Sequence, residues 1–334
     1  MAKLKSFTDK YDLFIFDLDG VITSEQGYWY TAALTVYELM NSNKYFGTRT
    51  LDYENVFANR KMIRKFVLSD DKTIVLLKNK GVNSNTDLAY IVFCASVIKN
   101  TKDPEVIYNF LKENLSDNIL NDYERLAILT AVGLNKPSEF CMRTGKLREY
   151  VNDIFQGWYL GEGGRPSILN NEQPLLDMEK TREVLKAFYS AGKTIAYGTG
   201  RFEYESKTPL SKWDFYKYFS EKHSVTYDEV SKSEQILKEN GQFKTLTKPD
   251  PYVFLQGALS KDYPVLKIIN GDYDKELIKK TLVIGDAGAD ILSAHAGGFD
   301  FCAVLTGVSG QAARPYFEEQ KAEYILDSIL DFID

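Results

Sequence analysis

Five short apolar runs recur along the chain, and each has the length and composition of a buried β-strand. They cover residues 13–16, 194–197, 281–284, 301–305 and 324–326. Amphipathic segments with helical spacing lie between the later runs, as over residues 179–190, which Gly192 follows at the usual place for a helix end. Alternating strands and helices of this kind are typical of a parallel α/β sheet.

A different pattern fills the chain between the first strand and about residue 160. Apolar residues recur there at three- and four-residue spacing from Tyr28 onward, which predicts a mainly helical block. Asp103 before Pro104 has the chemistry of a helix start. Residues 157–166 contain four glycines and a proline and mark the end of the block.

Shorter elements are predicted in the C-terminal half of the chain. Residues 213–219, 233–240 and 252–259 have helical patterns, and residues 224–226 have the pattern of a brief strand. A helix is expected to follow the last strand at the C-terminus.

Composition excludes several classes of protein. The chain has 334 residues, of which 44% are hydrophobic and 26% charged, as in ordinary globular proteins with room for two domains. The net charge of −6 without a basic tract argues against a nucleic-acid surface. Cys94, Cys141 and Cys302 are too few and too scattered for a disulfide framework or a zinc site. Because no apolar run suits a membrane span or a secretion signal, we expect a cytoplasmic protein without a membrane partner.

Carboxylates follow two of the predicted strands. Asp17 and Asp19 come directly after the first, and Asp286 and Asp290 come after the third, with glycines beside them. The carboxyl ends of parallel strands meet at one edge of a sheet, where α/β proteins bind ligands. Four carboxylates gathered there would repel one another without a hard cation, and oxygen ligands of this kind suit Mg²⁺.

Thr199 follows the second predicted strand, and Lys248 precedes a predicted helix. Together with the four carboxylates, they resemble the motifs of the haloacid dehalogenase superfamily of hydrolases. The resemblance covers about the first 24 residues and residues 174–334. It implies a Rossmann-like α/β core with a parallel sheet. The four motifs are Asp17-Leu18-Asp19-Gly20, Thr199, Lys248, and Asp286 with Asp290.

The resemblance also implies a role for each residue. Asp17 is the expected nucleophile and Asp19 the expected general acid and base. Mg²⁺ is expected to bind Asp17, Asp286 and the backbone carbonyl of Asp19, with Asp290 supporting the metal shell or Lys248. Thr199 and the amide of Gly200 are expected to hold phosphoryl oxygens while Lys248 neutralises charge. The acid at position 19 leaves a phosphatase or a phosphomutase as the expected activity.

The resemblance makes the helical block a cap domain. The expected domains are the catalytic core, residues 1–24 and 174–334, and the cap, residues 25–173. A helical cap inserted after the first motif is seen in the β-phosphoglucomutase and phosphoglycolate phosphatase branches and favours small phosphorylated metabolites. Candidate specificity residues are Tyr28, Trp29, Tyr30, Arg165 and Arg201, although packing between cap and core is the more common role for such aromatics.

Three functions remain open from the sequence. The first is a Mg²⁺-dependent phosphomonoester hydrolase that acts through an aspartyl phosphate at Asp17. The second is a phosphomutase, which would use the same core residues but exclude water from the intermediate. The third is a regulator that binds a phosphorylated metabolite without turnover, which the intact set of motif residues argues against. The oligomeric state is not indicated.

Overall fold

The computed structural model of the protein describes residues 2–82, 84–116 and 119–334. The chain divides into two compact units, an α/β unit of residues 1–24 and 172–334 and a helical unit of residues 25–171. Among the described residues, none of the helices combines the length and the apolar character that a membrane crossing requires.

A five-stranded parallel sheet forms the centre of the α/β unit. Its strands are β1 Leu13–Phe16, β2 Thr194–Tyr197, β3 Thr281–Gly285, β4 Asp300–Val304 and β5 Tyr324–Leu326. They lie in the order β2-β1-β3-β4-β5. The sheet confirms the predicted α/β fold class. Phe14 and Phe16 of the interior strand β1 pack on one side of the sheet, and Leu13 and Ile15 pack on the other. Burial on both faces explains why this strand is a continuous apolar run.

The helical unit packs around its own apolar core. Its central helix, α5, is buried at nearly every position from Asp87 to Ser96, as expected of a helix that is apolar all round. Asp103 caps α6 as predicted, because its side chain accepts hydrogen bonds from the amides of Glu105 and Val106. The helices are α1 Gln26–Asn41, α2 Tyr53–Ala58, α3 Arg60–Val67, α4 Lys72–Asn79, α5 Asn85–Ile98, α6 Pro104–Asn114, α7 Tyr123–Leu134, α8 Ser138–Cys141 and α9 Lys146–Leu160.

The other helices belong to the α/β unit. They are α10 Met178–Ser190, α11 Glu203–Lys212, α12 Tyr227–Glu239, α13 Tyr252–Leu259, α14 Val265–Ile269, α15 Lys275–Lys279, α16 Gly288–Gly297 and α17 Arg314–Glu319. Short 3₁₀ turns complete the described elements at Ser6–Lys10, Ile119–Asn121, Leu169–Asn171, Tyr216–Tyr218, Gly310–Ala313 and Ile329–Phe332. The three cysteines are free and buried.

Several predicted elements of the α/β unit are wrong. The segment 213–219 contains a 3₁₀ turn and a single bridge, from Phe219 to Ile195, instead of a helix. The predicted terminal helix is also a 3₁₀ turn. The segment 224–226 forms a single bridge, between Val225 and Gly198, instead of a strand. Thr226 ends it because its hydroxyl and amide both bond to the carboxylate of Glu229, which starts α12 six residues earlier than predicted.

Candidate active site

The strand register brings the three polar strand ends to one edge of the sheet. Phe16 of β1 is paired with Tyr197 of β2 on one side and with Ile284 of β3 on the other. The amide of Asp17 donates to the carbonyl of Ile284 at 2.7 Å, which continues the pairing one residue further. The next residues of all three strands therefore leave the sheet together. The strand order changes direction at β1, where α/β sheets commonly bind ligands.

Lys248 joins two of the carboxylates at this edge. Its Nζ lies 2.7 Å from Oδ1 of Asp17 and 2.8 Å from Oδ1 of Asp290. The three side chains are largely buried, with 14%, 12% and 3% of Lys248, Asp17 and Asp290 exposed. The other oxygen of Asp290 accepts from the amide of Ala287 at 3.2 Å, at the start of α16. Asp290 thus lies where it orients Lys248, which is one of the two positions expected for it.

Asp286 completes a cluster of three carboxylates. Oxygen atoms of Asp17, Asp286 and Asp290 lie within 4.8 Å of one another. Two glycines pack against Asp286: a Cβ atom on Gly20 would lie 2.2 Å from its Oδ2, and one on Gly307 would lie 1.9 Å away. Only glycine fits at either position while Asp286 keeps this place. Hard carboxylate oxygens in this arrangement fit the Mg²⁺ expected from the sequence.

The electrostatics of the site also suit a cation. Burial raises the pKa of the Asp17 carboxyl above its ordinary value; Lys248 opposes the rise, and the charges of Asp290 and Asp19 add to it. Burial alone would lower the pKa of Lys248, but Asp17 and Asp290 outweigh it and hold that pKa above its ordinary value. Asp17 and Asp290 thus share one ammonium group beside the carboxylate of Asp286, and a bound divalent cation would offset the remaining negative charge.

Thr199 and Gly200 follow β2 at the same edge. Thr199 is buried, its amide donates to the carbonyl of Val225 at 3.0 Å, and its Oγ1 accepts from the amide of Arg201 at 3.2 Å. Gly200 is exposed, and a Cβ atom on it would meet nothing within 4 Å. There is therefore open space beside the Cα atom of Gly200, and its role in binding phosphoryl oxygens stays a prediction.

The place of Arg201 differs from the expectation that it selects substrate. Its side chain is 1% exposed, and its guanidinium binds the carboxylates of Asp19 and Glu172. Asp19 also accepts from Thr23 Oγ1 at 2.9 Å. Arg201 is thus a buried partner of Asp19 and is not presented to a ligand.

Arg165 also differs from its expected place. It lies in the helical unit, where its Nη2 and Nε bind the fully buried carboxylate of Glu38 at 2.7 and 2.9 Å. Trp158 Nε1 and the hydroxyl of Tyr53 donate to the same carboxylate, at 2.8 and 2.9 Å. These contacts fix Arg165 within the unit, because a buried carboxylate needs its donors.

The aromatic residues at the start of α1 pack inside the helical unit. Tyr28, Trp29 and Tyr30 all lie against its core. The ring of Tyr28 stacks on Tyr159 with centroids 4.9 Å apart, and the Arg64 guanidinium lies 4.8 Å from the ring centre of Trp29. These contacts support a packing role for the three residues, whereas a role in substrate selection stays a prediction.

Three residues around Asp19 were not predicted as site residues. Thr23 is visible in the sequence only as the end of a short apolar segment, and Glu172 precedes the segment expected to begin the core. Glu205 lies one turn into α11, which was not predicted at all. Burial raises the pKa of Glu205 to about 6, against the lowering effect of Arg201. An acidic residue three positions after Phe202 was the available signal for a helix start at α11.

Known proteins resemble this chain in sequence and fold. Residues 246–332 match a family model described as HAD-hydrolase-like, a segment that contains Lys248, Asp286 and Asp290. No curated protein matches the chain at a significant level. An X-ray structure determined as a Northeast Structural Genomics Consortium target is 23% identical, with a TM-score of 0.81 over 96% of this chain and 97% of that chain.

Two other solved structures are more distant. A predicted phosphoglycolate phosphatase from Haemophilus somnus is 15% identical over 96% of each chain, with a TM-score of 0.48. A haloacid dehalogenase-like family hydrolase from Streptococcus pneumoniae is 12% identical over 97% of each chain, with a TM-score of 0.44. The match of residues 246–332 agrees with the resemblance found in the sequence, and the chain shares the fold of the first structure.

Proposed function

We propose that this protein is a Mg²⁺-dependent phosphomonoester hydrolase that acts through an aspartyl phosphate on Asp17. The observation that carries the proposal is the position of Lys248, which bridges Asp17 and Asp290 beside the carboxylate of Asp286. A buried carboxylate that is held by one cation and lies next to further metal-ligand oxygens has the surroundings that a nucleophile for phosphoryl transfer needs.

The nucleophile is oriented by its hydrogen bond to Lys248. Because Oδ1 of Asp17 accepts from Lys248, Oδ2 is the oxygen that attacks phosphorus in line with the departing ester oxygen. The bond from phosphorus to that oxygen breaks as the bond to Asp17 forms. Thr199 and the amide of Gly200 hold phosphoryl oxygens, and Lys248 neutralises their charge. Mg²⁺ held by Asp17, Asp286 and the carbonyl of Asp19 would supply further positive charge opposite the phosphoryl group.

Asp19 moves the protons in both halves of the reaction. It gives a proton to the departing alkoxide oxygen, so the alcohol leaves neutral. Ionised Asp19 then takes a proton from a water molecule that attacks the phosphorus of the aspartyl phosphate. Inorganic phosphate leaves, and Asp17 and Asp19 return to their starting states. We further propose that the substrates are small phosphorylated metabolites and that the helical unit acts as the cap that excludes bulk water.

Hydrolysis of p-nitrophenyl phosphate tests the mechanism. We expect turnover that depends on Mg²⁺ and falls below detection in Asp17→Asn, while Asp12→Asn, an exposed position just before β1, serves as the matched control. Acid-quenched protein should carry one added phosphoryl group in intact-mass spectra, and Asp17→Asn should carry none. Full activity in Asp17→Asn would rule out this mechanism.

Product analysis with a panel of phosphorylated metabolites tests the reaction class. Free phosphate is the expected product. An isomerised sugar phosphate would instead identify a phosphomutase, and binding of Mg²⁺ and phosphate with no turnover of any compound would favour a regulator.

A further inference from the structure

The carboxylate of Asp19 is held from two directions. Arg201 donates from Nη2 to Oδ1 at 2.6 Å and from Nε to Oδ1 and Oδ2 at 3.1 and 3.0 Å. Thr23 Oγ1 donates to Oδ1 at 2.9 Å. A guanidinium fork fixes both the position and the plane of a carboxylate, which a single hydroxyl does not. Among the described contacts, Oδ1 accepts more donors than Oδ2, so Oδ2 is the oxygen better placed to exchange a proton.

Arg201 is itself fixed by the buried carboxylate of Glu172. Nη1 of Arg201 lies 3.0 Å from Oε2 of Glu172, and the two side chains are 1% and 2% exposed. The same Nη1 donates to the backbone carbonyl of Glu205 at 3.2 Å. That carbonyl lies four residues before Pro209 in α11, and proline has no N–H to supply the usual helical hydrogen bond. Arg201 therefore replaces a missing helix donor while it holds Asp19.

The residues around Asp19 come from the two chain segments that leave and re-enter the α/β unit. Thr23 lies in the first segment and Glu172 in the second. The segments pair directly, because Thr23 forms a bridge with Pro174 and the amide of Leu175 donates to the carbonyl of Ile22 at 3.0 Å. Both segments therefore determine where the carboxylate of Asp19 lies.

We propose that Arg201, fixed by Glu172, is a positioning residue that orients Asp19 for proton transfer to the leaving oxygen. This inference rests on the proposed function. As Asp19 gives up its proton, negative charge develops on its carboxylate next to the guanidinium. The Arg201–Asp19 contact is therefore stronger in the transition state than before it, which is the condition for an interaction to accelerate the reaction. If Arg201 served only the stability of the fold, the orientation of the Asp19 carboxylate would not matter for the rate. Buried ion pairs often add little net stability, so stability alone does not explain this contact.

Two esters that differ mainly in leaving-group basicity distinguish these roles. Phenyl phosphate and p-nitrophenyl phosphate have nearly the same shape, but phenolate is much the more basic leaving group and needs the proton more. We expect Arg201→Lys, which keeps the charge and loses the fork, to lower kcat for phenyl phosphate by about 10- to 100-fold. For p-nitrophenyl phosphate kcat should change only a few fold, and KM should change little for either ester, because Arg201 does not contact substrate.

Further variants separate positioning from folding. Glu172→Gln keeps the size of the side chain and a carbonyl acceptor for Arg201 but loses the charge, so it should shift the ratio of the two kcat values in the same direction by a smaller factor. Arg148→Lys is the matched control, because Arg148 forms a largely buried pair with Asp87 in the helical unit. The ratio of the two kcat values in Arg148→Lys should equal that of the unaltered protein. Circular dichroism and melting curves identify any variant that fails to fold.

Each outcome of the comparison decides one question. A raised ratio of kcat for p-nitrophenyl phosphate to kcat for phenyl phosphate in Arg201→Lys, and no effect of Arg201→Lys on this ratio in an Asp19→Asn background, support positioning through Asp19. An equal loss with both esters in a folded Arg201→Lys protein overturns the inference and leaves the proposed function standing. If the unaltered protein hydrolyses neither ester, the proposed function fails, and the role of Arg201 fails with it.

Discussion

Gly307 packs so closely against Asp286 that a Cβ atom on Gly307 would lie 1.9 Å from Asp286 Oδ2. Real Cβ contacts are never this short, so Gly307→Ala must displace the carboxylate of Asp286 or the turn that carries residue 307. If Asp286 binds Mg²⁺ as proposed, we expect this variant to bind Mg²⁺ about 10- to 100-fold more weakly, the usual effect of disturbing a residue that supports a metal ligand. Isothermal titration of Mg²⁺ measures the affinity directly.

Gly310→Ala is the control for Gly307→Ala. Gly310 lies in the same turn with φ of +50°, and the nearest atom to a Cβ there is 4.0 Å away. The positive φ should cost about 1 kcal/mol of stability without changing the Mg²⁺ affinity. Equal Mg²⁺ affinities for the two variants would contradict the role of Asp286 as a ligand.

Lys248 is expected to matter for stability as well as for turnover. Lys248→Met would leave the carboxylates of Asp17 and Asp290 buried together without their shared cation. Removing one partner from such a buried group typically costs about 3–5 kcal/mol in the free energy of unfolding. Urea unfolding without Mg²⁺ measures this loss. Added Mg²⁺ should stabilise Lys248→Met more than the unaltered protein, because the ion replaces part of the lost charge.

A nearby lysine provides the comparison for Lys248→Met. Lys244 pairs with Asp250 at 2.7 Å, but half of its side chain is exposed, so Lys244→Met should cost less than about 1 kcal/mol. A loss in Lys248→Met no greater than in Lys244→Met would show that the buried carboxylates do not depend on Lys248.

A site residue can be predicted from the sequence when its position follows directly from the strand that it ends. Asp17 and Asp286 follow strands that a short apolar run makes recognisable, and parallel pairing alone brings their strand ends to one edge. The partner of Asp19 could not be found this way. Arg201 is 182 positions away in the chain, and its contact with Asp19 depends on how α11 and Glu172 pack around it.

The contacts of Arg165 and the helix α11 were not predicted for a related reason. Arg165 follows a glycine-rich segment, which is typical of an exposed loop, yet it turns inward to a carboxylate on α1 that is distant in sequence. α11 was missed because Pro209 interrupts its pattern, and the helix tolerates the proline because Arg201 bonds to the carbonyl of Glu205. Tertiary contacts of this kind override local sequence signals.

Glu205 should make stability depend on pH. Its folded pKa is raised from 4.5 to about 6 by burial, so the folded state binds more protons than the unfolded state between these values. The free energy of unfolding therefore falls as pH rises through this window, by about 2 kcal/mol, and stays lower above it. Glu205→Gln removes this dependence and keeps an acceptor for the amide of Phe202. Relative to the unaltered protein, the variant should gain about 2 kcal/mol between pH 4 and pH 7.

Urea unfolding at a series of pH values measures the effect of Glu205→Gln. The contributions of the other carboxylates cancel when the free energies of unfolding of the variant and the unaltered protein are subtracted. Glu203→Gln lies in the same helix at an exposed position and is the control. Its curve should run parallel to that of the unaltered protein. A parallel curve for Glu205→Gln as well would rule out the raised pKa.

The buried carboxylate of Glu38 should hold the helical unit together. It is fully buried and accepts four hydrogen bonds, from Trp158, Tyr53 and two nitrogens of Arg165. Arg165→Met leaves this charge without its counter-ion, so we expect a loss of about 3–5 kcal/mol in the free energy of unfolding. Glu38→Leu combined with Arg165→Met should recover much of that loss, because an apolar pair needs no compensating charge.

Trp158 reports on this network because its indole nitrogen donates to Glu38. Fluorescence-detected urea unfolding should therefore show the loss in Arg165→Met and the recovery in the double variant. Arg182→Met is the control: Arg182 pairs with Glu179, which is 79% exposed, and the change should cost less than about 1 kcal/mol. If the double variant is less stable than Arg165→Met alone, the hydrogen bonds from Trp158 and Tyr53 to Glu38 contribute more than removing the unpaired charge recovers.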